Sequence, residues 1–247
     1  MIIKGLKTNY KVIGEGKPLL ILHGWGSRSD NWQKVGEILA KSGIRVIIPD
    51  LPGFGQSDKP SAAWNLDDYC DFVEEFVRVL NLDKFYLLGH SFGGSLSIKF
   101  SFKHPEKVAK LFLVSAACIR KKSLKNKLFK FLSKFIKIKT PFLRKVFYRK
   151  SDYLSVEGIM KETYLKVIKQ DLSNILSQIQ VPTVIIWGEK DKVTPLKHGR
   201  LIKEKIQDSH LRQGFGGQAK LEIIPNVGHD LNLKTPEKLA EAISQNL

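Results

Sequence analysis

The sequence of 247 residues is 43% hydrophobic and 10% aromatic, which excludes a disordered chain and predicts one large globular domain, or one domain with an insertion. Its formal net charge is +17, but 13 Lys or Arg and no Asp or Glu lie in the stretch 119–150. The rest of the surface is therefore only moderately charged, so nucleic-acid binding is not favoured, and two cysteines, Cys70 and Cys118, are too few for a disulfide framework.

The N-terminal segment carries no export signal that we recognise. Residues 1–24 lack the charged and then apolar pattern of a signal peptide, and their longest apolar run, 19–22, is far too short to span a bilayer. The sequence therefore predicts a soluble, cytoplasmic protein. We expect the first eighteen residues to add antiparallel strands at one edge of a sheet.

Short apolar runs alternate with helical patterns along most of the chain. The runs are nearly continuous in apolar residues, which is typical of strands buried on both faces of a parallel sheet. This alternation predicts an α/β fold with a mostly parallel central sheet and helices on both of its faces. The predicted strands are 18–22, 45–49, 84–88, 110–114, 182–187 and 220–224, and the predicted helices are 31–41, 66–80, 92–103, 195–206 and 236–246.

A serine motif lies at the turn between a predicted strand and a predicted helix. Gly89-His90-Ser91-Phe92-Gly93 directly follows the run 84–88 and opens the helix 92–103. A serine in such a sharp turn needs small neighbours, because the strained backbone leaves no room for bulky side chains, and the helix N-terminus favours negative charge near it. We interpret Ser91 as a nucleophile. The alternative is a Gly/Ser turn without chemistry.

A second glycine-containing turn, His23-Gly24-Trp25-Gly26, follows the run 18–22. Its glycines free the backbone, so that an N–H group can point into a cleft. An oxyanion hole needs two such donors where negative charge develops. We expect the backbone amides of Trp25 and Phe92 to form the pair, although a simple turn is the alternative for this motif.

An acid and a base for Ser91 follow two later strands. Asp191 follows the run 182–187, and His229 lies just beyond the run 220–224. A serine hydroxyl is a poor nucleophile unless a histidine accepts its proton and a carboxylate orients that histidine. We therefore predict catalytic roles for Ser91, Asp191 and His229. Glu189 is the close rival to Asp191, whereas His90 is expected to point away from the serine.

Taken together, the segments HGWG, DLPGFGQSD, GHSFGG, WGEKDKVTP and NVGHD resemble the α/β-hydrolase superfamily, in particular its ester-hydrolase and carbon–carbon-hydrolase branch. The likeness covers 18–117 and 181–247. It implies an α/β-hydrolase fold and a Ser, Asp, His order of catalytic residues, which this chain follows. Members related to dehalogenases and epoxide hydrolases carry an aspartate at the nucleophile position, so Ser91 argues against both chemistries. No cofactor or metal is implied.

The alternation is interrupted at 118–180, where no strand pattern occurs and the sequence is basic and helical. We divide the chain into a hydrolase core, 1–117 and 181–247, and this insertion, whose position is where such enzymes carry a helical cap. Substrate contacts are expected from the cap, with its apolar face over the pocket and its lysines in water. Attraction to an anionic membrane surface or to acidic substrates is the alternative.

A glycine-rich patch from Ser209 to Ala219 lengthens the interval between Asp191 and His229 beyond the usual spacing of the family. It is not a phosphate loop, because no Lys-Ser/Thr follows its glycines. We expect a mobile surface loop away from the catalytic strand ends.

The sequence thus predicts a serine hydrolase that cleaves carboxylic esters of small or medium acyl groups through an acyl-enzyme. Enzymatic alternatives with the same three residues are a thioesterase, a carbon–carbon hydrolase and a small-peptide hydrolase. The non-enzymatic alternative is a ligand receptor or peripheral membrane module that keeps the fold and the pocket.

Overall fold

The computed structural model of the chain describes residues 1–120, 157–213 and 219–247. Most of the basic block at 119–150 therefore lies outside the described residues, and so do its predicted helices and its membrane-binding alternative. The strands are β1 (Ile2–Ile3), β2 (Leu6–Lys7), β3 (Tyr10–Ile13), β4 (Lys17–Leu22), β5 (Ile44–Pro49), β6 (Phe85–His90), β7 (Val108–Val114), β8 (Thr183–Gly188) and β9 (Ala219–Ile224). The helices are α1 (Gln33–Ala40), α2 (Leu66–Val79), α3 (Phe92–Lys103), α4 (Gly158–Val167), α5 (Leu196–Gln213), α6 (Leu231–Lys234) and α7 (Pro236–Ser244).

The central sheet has the order β3-β5-β4-β6-β7-β8-β9. Strands β4 to β9 pair in parallel, and β3 pairs antiparallel with β5 at one edge. Each predicted apolar run forms one strand, so the predicted α/β fold and the antiparallel edge are confirmed. Strands β1 and β2 form a separate antiparallel pair.

Successive side chains of β4 enter two different cores, one on each face of the sheet. Leu19 and Ile21 pack with residues of α1 and α7, whereas Leu20 and Leu22 pack with residues of α2, α3 and α5. All four leucine and isoleucine side chains are fully buried. This period of two explains why an uninterrupted apolar run forms a strand here, because both faces of a parallel sheet are covered by helices.

The described flanks of the predicted insertion pack against the core. Thr163 on α4 accepts a hydrogen bond from the backbone N–H of Trp64 at 3.0 Å, and the N–H of Leu172 donates to the carbonyl of Cys118 at 2.9 Å. Val167 and Leu176 belong to the same buried cluster as α2 and α3. Within the described residues, no strand interrupts the helical character of this region, and the division at 118–180 stays a prediction.

The predicted loop at Ser209–Ala219 needs a correction. Residues 209–213 continue α5, and Ala219 begins β9, so only 214–218 lie outside the described residues. The helix continues because the sequence has no glycine or proline between Gly199 and Gly214.

Two further features bear on the chemistry of the chain. Cys70 and Cys118 are both free and buried, and burial raises the pKa of each thiol to about 12. Among the helices of the described ranges, none combines the length and the apolar character needed to cross a membrane.

The strand order also locates the site. From β4 the chain moves to β5 on one side, and then returns through α2 to β6 on the other side of β4. In open parallel sheets, ligands bind outside the carboxyl ends of the strands at such a switch point. Trp25 follows β4 and Ser91 follows β6, so both lie at this position.

Candidate active site

Ser91 occupies a strained position between β6 and α3. Its backbone angles are φ 52° and ψ −113°, in a region that residues other than glycine rarely adopt. The main chain around it holds this conformation: the Ser91 N–H donates to the carbonyl of Val114 at 3.0 Å, and its own carbonyl accepts from the N–H of Ala117 at 2.9 Å. The strain is thus maintained by the neighbouring strand and by the segment after it.

Glycines at the turn let the backbone segments approach one another. A methyl group on Gly93 would collide with the carbonyl of Leu22, and one on Gly89 would collide with the carbonyl of Gly93 and the hydroxyl of Ser97. The small neighbours that the motif predicts are therefore required by direct backbone contact.

Asp191 and His229 are hydrogen-bonded to each other. Asp191 lies in the loop after β8 and His229 in the loop after β9, and Nδ1 of His229 is 2.8 Å from Oδ2 of Asp191. Because an ionised carboxylate only accepts hydrogen bonds, this contact places the proton on Nδ1 and leaves Nε2 as the free acceptor. An imidazole in this tautomer can accept the proton of a serine hydroxyl at Nε2.

The carboxylate of Asp191 is fully buried at its side chain. Burial by itself raises its pKa, but the hydrogen bond and charge of His229, together with the hydrogen bonds of Thr194, outweigh burial and lower the pKa to about 2. Asp191 is therefore ionised at neutral pH.

Thr194 is a member of this cluster that the sequence analysis missed. Its hydroxyl donates to Oδ2 of Asp191 at 2.8 Å and lies 3.3 Å from Nδ1 of His229, and its N–H donates to Oδ1 of Asp191 at 2.8 Å. The N–H of Val193 donates to the same Oδ1 at 2.8 Å. The contact of Val193 is an Asx turn, in which an Asp side chain accepts the N–H two residues on, and a turn at Asp191 is the signal that the sequence offers for this segment.

Glu189, the alternative to Asp191 as the catalytic acid, contacts another part of the chain. It is exposed, and its carboxylate accepts the N–H of Asn226 at 3.0 Å. The structure brings Asp191, and not Glu189, to the imidazole of His229.

His90 contacts the loop that carries His229. Its Nε2 is 3.0 Å from the carbonyl of His229, and the two imidazole rings lie 4.9 Å apart between centroids. Burial is the main cause that lowers the pKa of His90 to about 3, and the nearby His229 adds to the effect. His90 is thus neutral and donates through Nε2 to the main chain, a positioning contact that the sequence analysis did not foresee.

His23, in the HGWG turn, is a second neutral histidine that positions the main chain. It is fully buried, its Nδ1–H donates to the carbonyl of Gly24 at 2.8 Å, and its Nε2 accepts the N–H of Leu51 at 2.9 Å. Burial lowers the pKa of His23 to about 4. This neutral imidazole joins the turn after β4 to the segment after β5.

Trp25 and Phe92, the predicted oxyanion pair, lie next to each other. Their rings meet edge to face with centroids 5.5 Å apart, and Trp25 also packs on Phe54 at 4.9 Å and on Tyr164 at 5.1 Å. Phe92 is the first residue of α3, where a helix leaves its N–H groups without intrahelical partners. Within the described part of the chain, neither backbone amide donates a hydrogen bond.

Ser91 lines two cavities. The larger, about 260 Å³, is lined by polar groups and by His229, and the smaller, about 90 Å³, is lined mostly by apolar side chains and by Phe92. In the residues described here, no hydrogen bond joins Ser91 Oγ to His229, although both line the larger cavity. Such contacts commonly tighten when a substrate is bound. Trp25, Ser91 and Val193 line both cavities.

Comparison with known proteins agrees with this architecture. A family model described as the alpha/beta hydrolase fold matches residues 17–150. The chain is 30% identical to the AB hydrolase superfamily protein YisY of Bacillus subtilis over 94% of its own length and 92% of that protein. It is 27% identical to the 2-hydroxy-6-oxo-6-(2'-aminophenyl)hexa-2,4-dienoic acid hydrolase of Metapseudomonas resinovorans, over 96% of this chain and 86% of that enzyme.

A solved structure with a similar fold is that of an esterase from Exiguobacterium antarcticum. It superimposes with a TM-score of 0.76 at 25% identity, over 99% of this chain and 97% of that one. Together with the family match and the relatives, this structural similarity shows that the chain is a hydrolase and belongs to the α/β-hydrolase fold family.

Proposed function

We propose that the protein hydrolyses carboxylic esters through an acyl-enzyme, with Ser91 as nucleophile, His229 as general base and acid, and Asp191 as the group that orients His229. The observation that carries the proposal is the 2.8 Å contact between His229 and Asp191, beside a cavity that the strained Ser91 also lines. A fixed imidazole with a free Nε2 beside a serine is an arrangement suited to acyl transfer.

The steps follow from the positions of these groups. Nε2 of His229 takes the proton of Ser91 Oγ while Oγ attacks the ester carbonyl. The negative charge on the carbonyl oxygen is stabilised by the backbone N–H groups of Trp25 and Phe92. The protonated imidazole, stabilised by Asp191, then gives its proton to the leaving alkoxide, and a water activated by the same imidazole hydrolyses the acyl-enzyme.

The two cavities fit the two parts of an ester. His229 must reach the leaving oxygen, and it lines only the larger cavity, so the alcohol part fits there. The smaller cavity contains Phe92 but not His229, which makes it the natural place for the acyl part. Its volume of about 90 Å³ favours short acyl groups.

A series of 4-nitrophenyl esters from acetate to laurate tests the proposal. We expect the highest kcat/KM for the shortest acyl groups and loss of turnover in Ser91→Ala. A fluorophosphonate probe should label the wild type at Ser91 and leave His229→Ala largely unlabelled, since the serine is then not activated. Wild-type turnover in Ser91→Ala would contradict the mechanism.

Cleavage of a carbon–carbon bond is the second candidate function, favoured by one observation. The relative from Metapseudomonas resinovorans, matched over almost the whole chain, is a hydrolase of a 2-hydroxy-6-oxo-dienoic acid. A dienoate of this type loses its visible absorbance on cleavage, so one spectrophotometric assay compares its kcat/KM with that of the best ester. A larger value for the dienoate would favour the second function.

A further inference from the structure

Among the described residues, one cationic side chain lies in the wall of the acyl-side cavity. Arg120 follows β7 and lines the cavity of about 90 Å³ together with Ser91 and Phe92. The remaining lining residues that the structure describes are uncharged: Trp25, Ala117, Tyr164, Val167, Ile168 and Val193. A guanidinium in such a wall is unusual, because burying a cation without an anionic partner costs free energy.

The guanidinium has no anionic partner of its own among the described residues. Asp171 is the nearby carboxylate, but it accepts the backbone N–H of Arg120 at 3.0 Å and that of Ser173 at 2.8 Å, and it forms no ion pair with the Arg120 side chain. The buried Nε of Arg120 also has no hydrogen-bond partner in the described part of the chain. Burial lowers the pKa of Arg120 and outweighs the opposing effects of Cys118, Tyr164 and Asp171. An arginine nevertheless stays charged at neutral pH.

The volume of the cavity limits which anionic ligands can bind the Arg120 guanidinium. The described lining residues, Arg120 among them, surround a volume of about 90 Å³. A volume of this size favours a short acyl chain that ends in a planar anion over a long fatty acyl chain. A carboxylate matches the fork of N–H donors on a guanidinium.

We propose that Arg120 makes this cavity a carboxylate-binding acyl subsite, and that the preferred substrates are monoesters of short dicarboxylic acids. The inference rests on the proposed function for its assignment of the acyl side. Arg120 binds the distal carboxylate, the ester carbonyl lies at Ser91 with its oxygen toward the N–H groups of Trp25 and Phe92, and the alcohol occupies the cavity of His229.

The test compares monomethyl succinate with methyl succinamate, which has nearly the same shape but a neutral amide in place of the carboxylate. Methanol release gives kcat/KM for both esters. We expect the wild type to favour the charged ester at least tenfold, and Arg120→Gln to lose most of this preference, mainly through KM. Arg120→Lys should retain part of it. Arg78→Gln, which removes an exposed cation on α2, is the matched control and should keep the wild-type ratio.

Calorimetric binding of monomethyl succinate to Ser91→Ala separates the two proposals. Charge-selective binding that disappears in the Ser91→Ala, Arg120→Gln double variant, without turnover of any ester by the wild type, would keep the subsite and reject the esterase function. Equal kcat/KM for both esters in the wild type, or equal losses for both in a folded Arg120→Gln protein, would reject the subsite and keep the esterase. Absence of both turnover and charge-selective binding would reject both. Melting curves show which variants are folded.

Discussion

Ser91 and His229 line one cavity, but the main chain positions the first whereas side-chain hydrogen bonds position the second. Around Ser91, carbonyl and N–H groups of three segments enforce a positive φ, and glycines allow these segments to touch. Around His229, the carboxylate of Asp191 and the hydroxyl of Thr194 determine the orientation of the ring. Substitutions near the nucleophile should therefore act mainly on folding, and those near the imidazole mainly on rate.

The largest effect is expected where the reacting groups themselves are removed. Ser91→Ala and His229→Ala should each lower kcat for a short ester by about 10³-fold or more, and the double variant should be little worse, because the groups act as a unit. Steady-state kinetics of purified variants measures this. Ser101→Ala is the control, because the Ser101 hydroxyl is buried on α3 without a hydrogen-bond partner in the described residues.

Substitution of the acid distinguishes the two candidate carboxylates. Asp191→Asn keeps the size of the side chain but favours the wrong tautomer of His229, so we expect a loss in kcat of about 10²-fold or more. Glu189→Gln is the matched control and should retain wild-type kcat, since Glu189 contacts Asn226 rather than the imidazole. The opposite ranking of the two variants would show that Glu189 is the functional acid.

On the nucleophile side, Gly93→Ala should destabilise the fold. The added methyl would collide with the carbonyl of Leu22, and such overpacking lowers the free energy of unfolding by about 1–3 kcal/mol or more. Urea denaturation measures the change. At Gly228 the added methyl would be 3.7 Å from its nearest neighbour, so Gly228→Ala should unfold close to the wild-type midpoint. Equal midpoints for the two variants would argue against a rigid turn.

On the imidazole side, Thr194→Val should lower kcat without a large effect on stability. It removes the hydroxyl that donates to Asp191 and lies 3.1 Å from the carbonyl of Ser115, but keeps the backbone N–H. Loss of one or two hydrogen bonds of this kind predicts a decrease of about tenfold in kcat, with KM nearly unchanged. Thr194→Ser, which retains the hydroxyl, should restore most of the rate.

The neutral histidine of the HGWG turn should make stability depend on pH. His23 has a pKa of about 4 when folded, below the ordinary value of 6.5, so between these values the unfolded chain binds a proton that the folded chain does not. The free energy of unfolding should thus fall as the pH decreases from 6.5 to 4. His23→Gln should reduce this slope by up to about 1.4 kcal/mol per pH unit. Denaturant titrations from pH 4 to pH 8 measure it, and an unchanged slope would contradict the assignment.

The sequence was sufficient to predict the sheet because its strands are short apolar runs buried on both faces, and this burial leaves a local pattern. The turn at Ser91 was also predictable, since its glycines are adjacent in sequence. Thr194, His90 and Arg120 were not found, because their importance arises from contacts with Ser115, with His229 and with the cavity, which are distant in sequence or formed only by the fold. The end of α5 was placed too early because the glycines after it dominated the local signal.

The two native thiols provide a practical opportunity for measuring substrate binding. Cys70 and Cys118 are the two cysteines of the whole chain, and both are buried with pKa values of about 12, so maleimides should react with them slowly. Val193 is 67% exposed and lines both cavities. A fluorophore attached through Val193→Cys would therefore label one position selectively, in an otherwise unaltered protein, and report on the occupancy of either cavity by its change in emission.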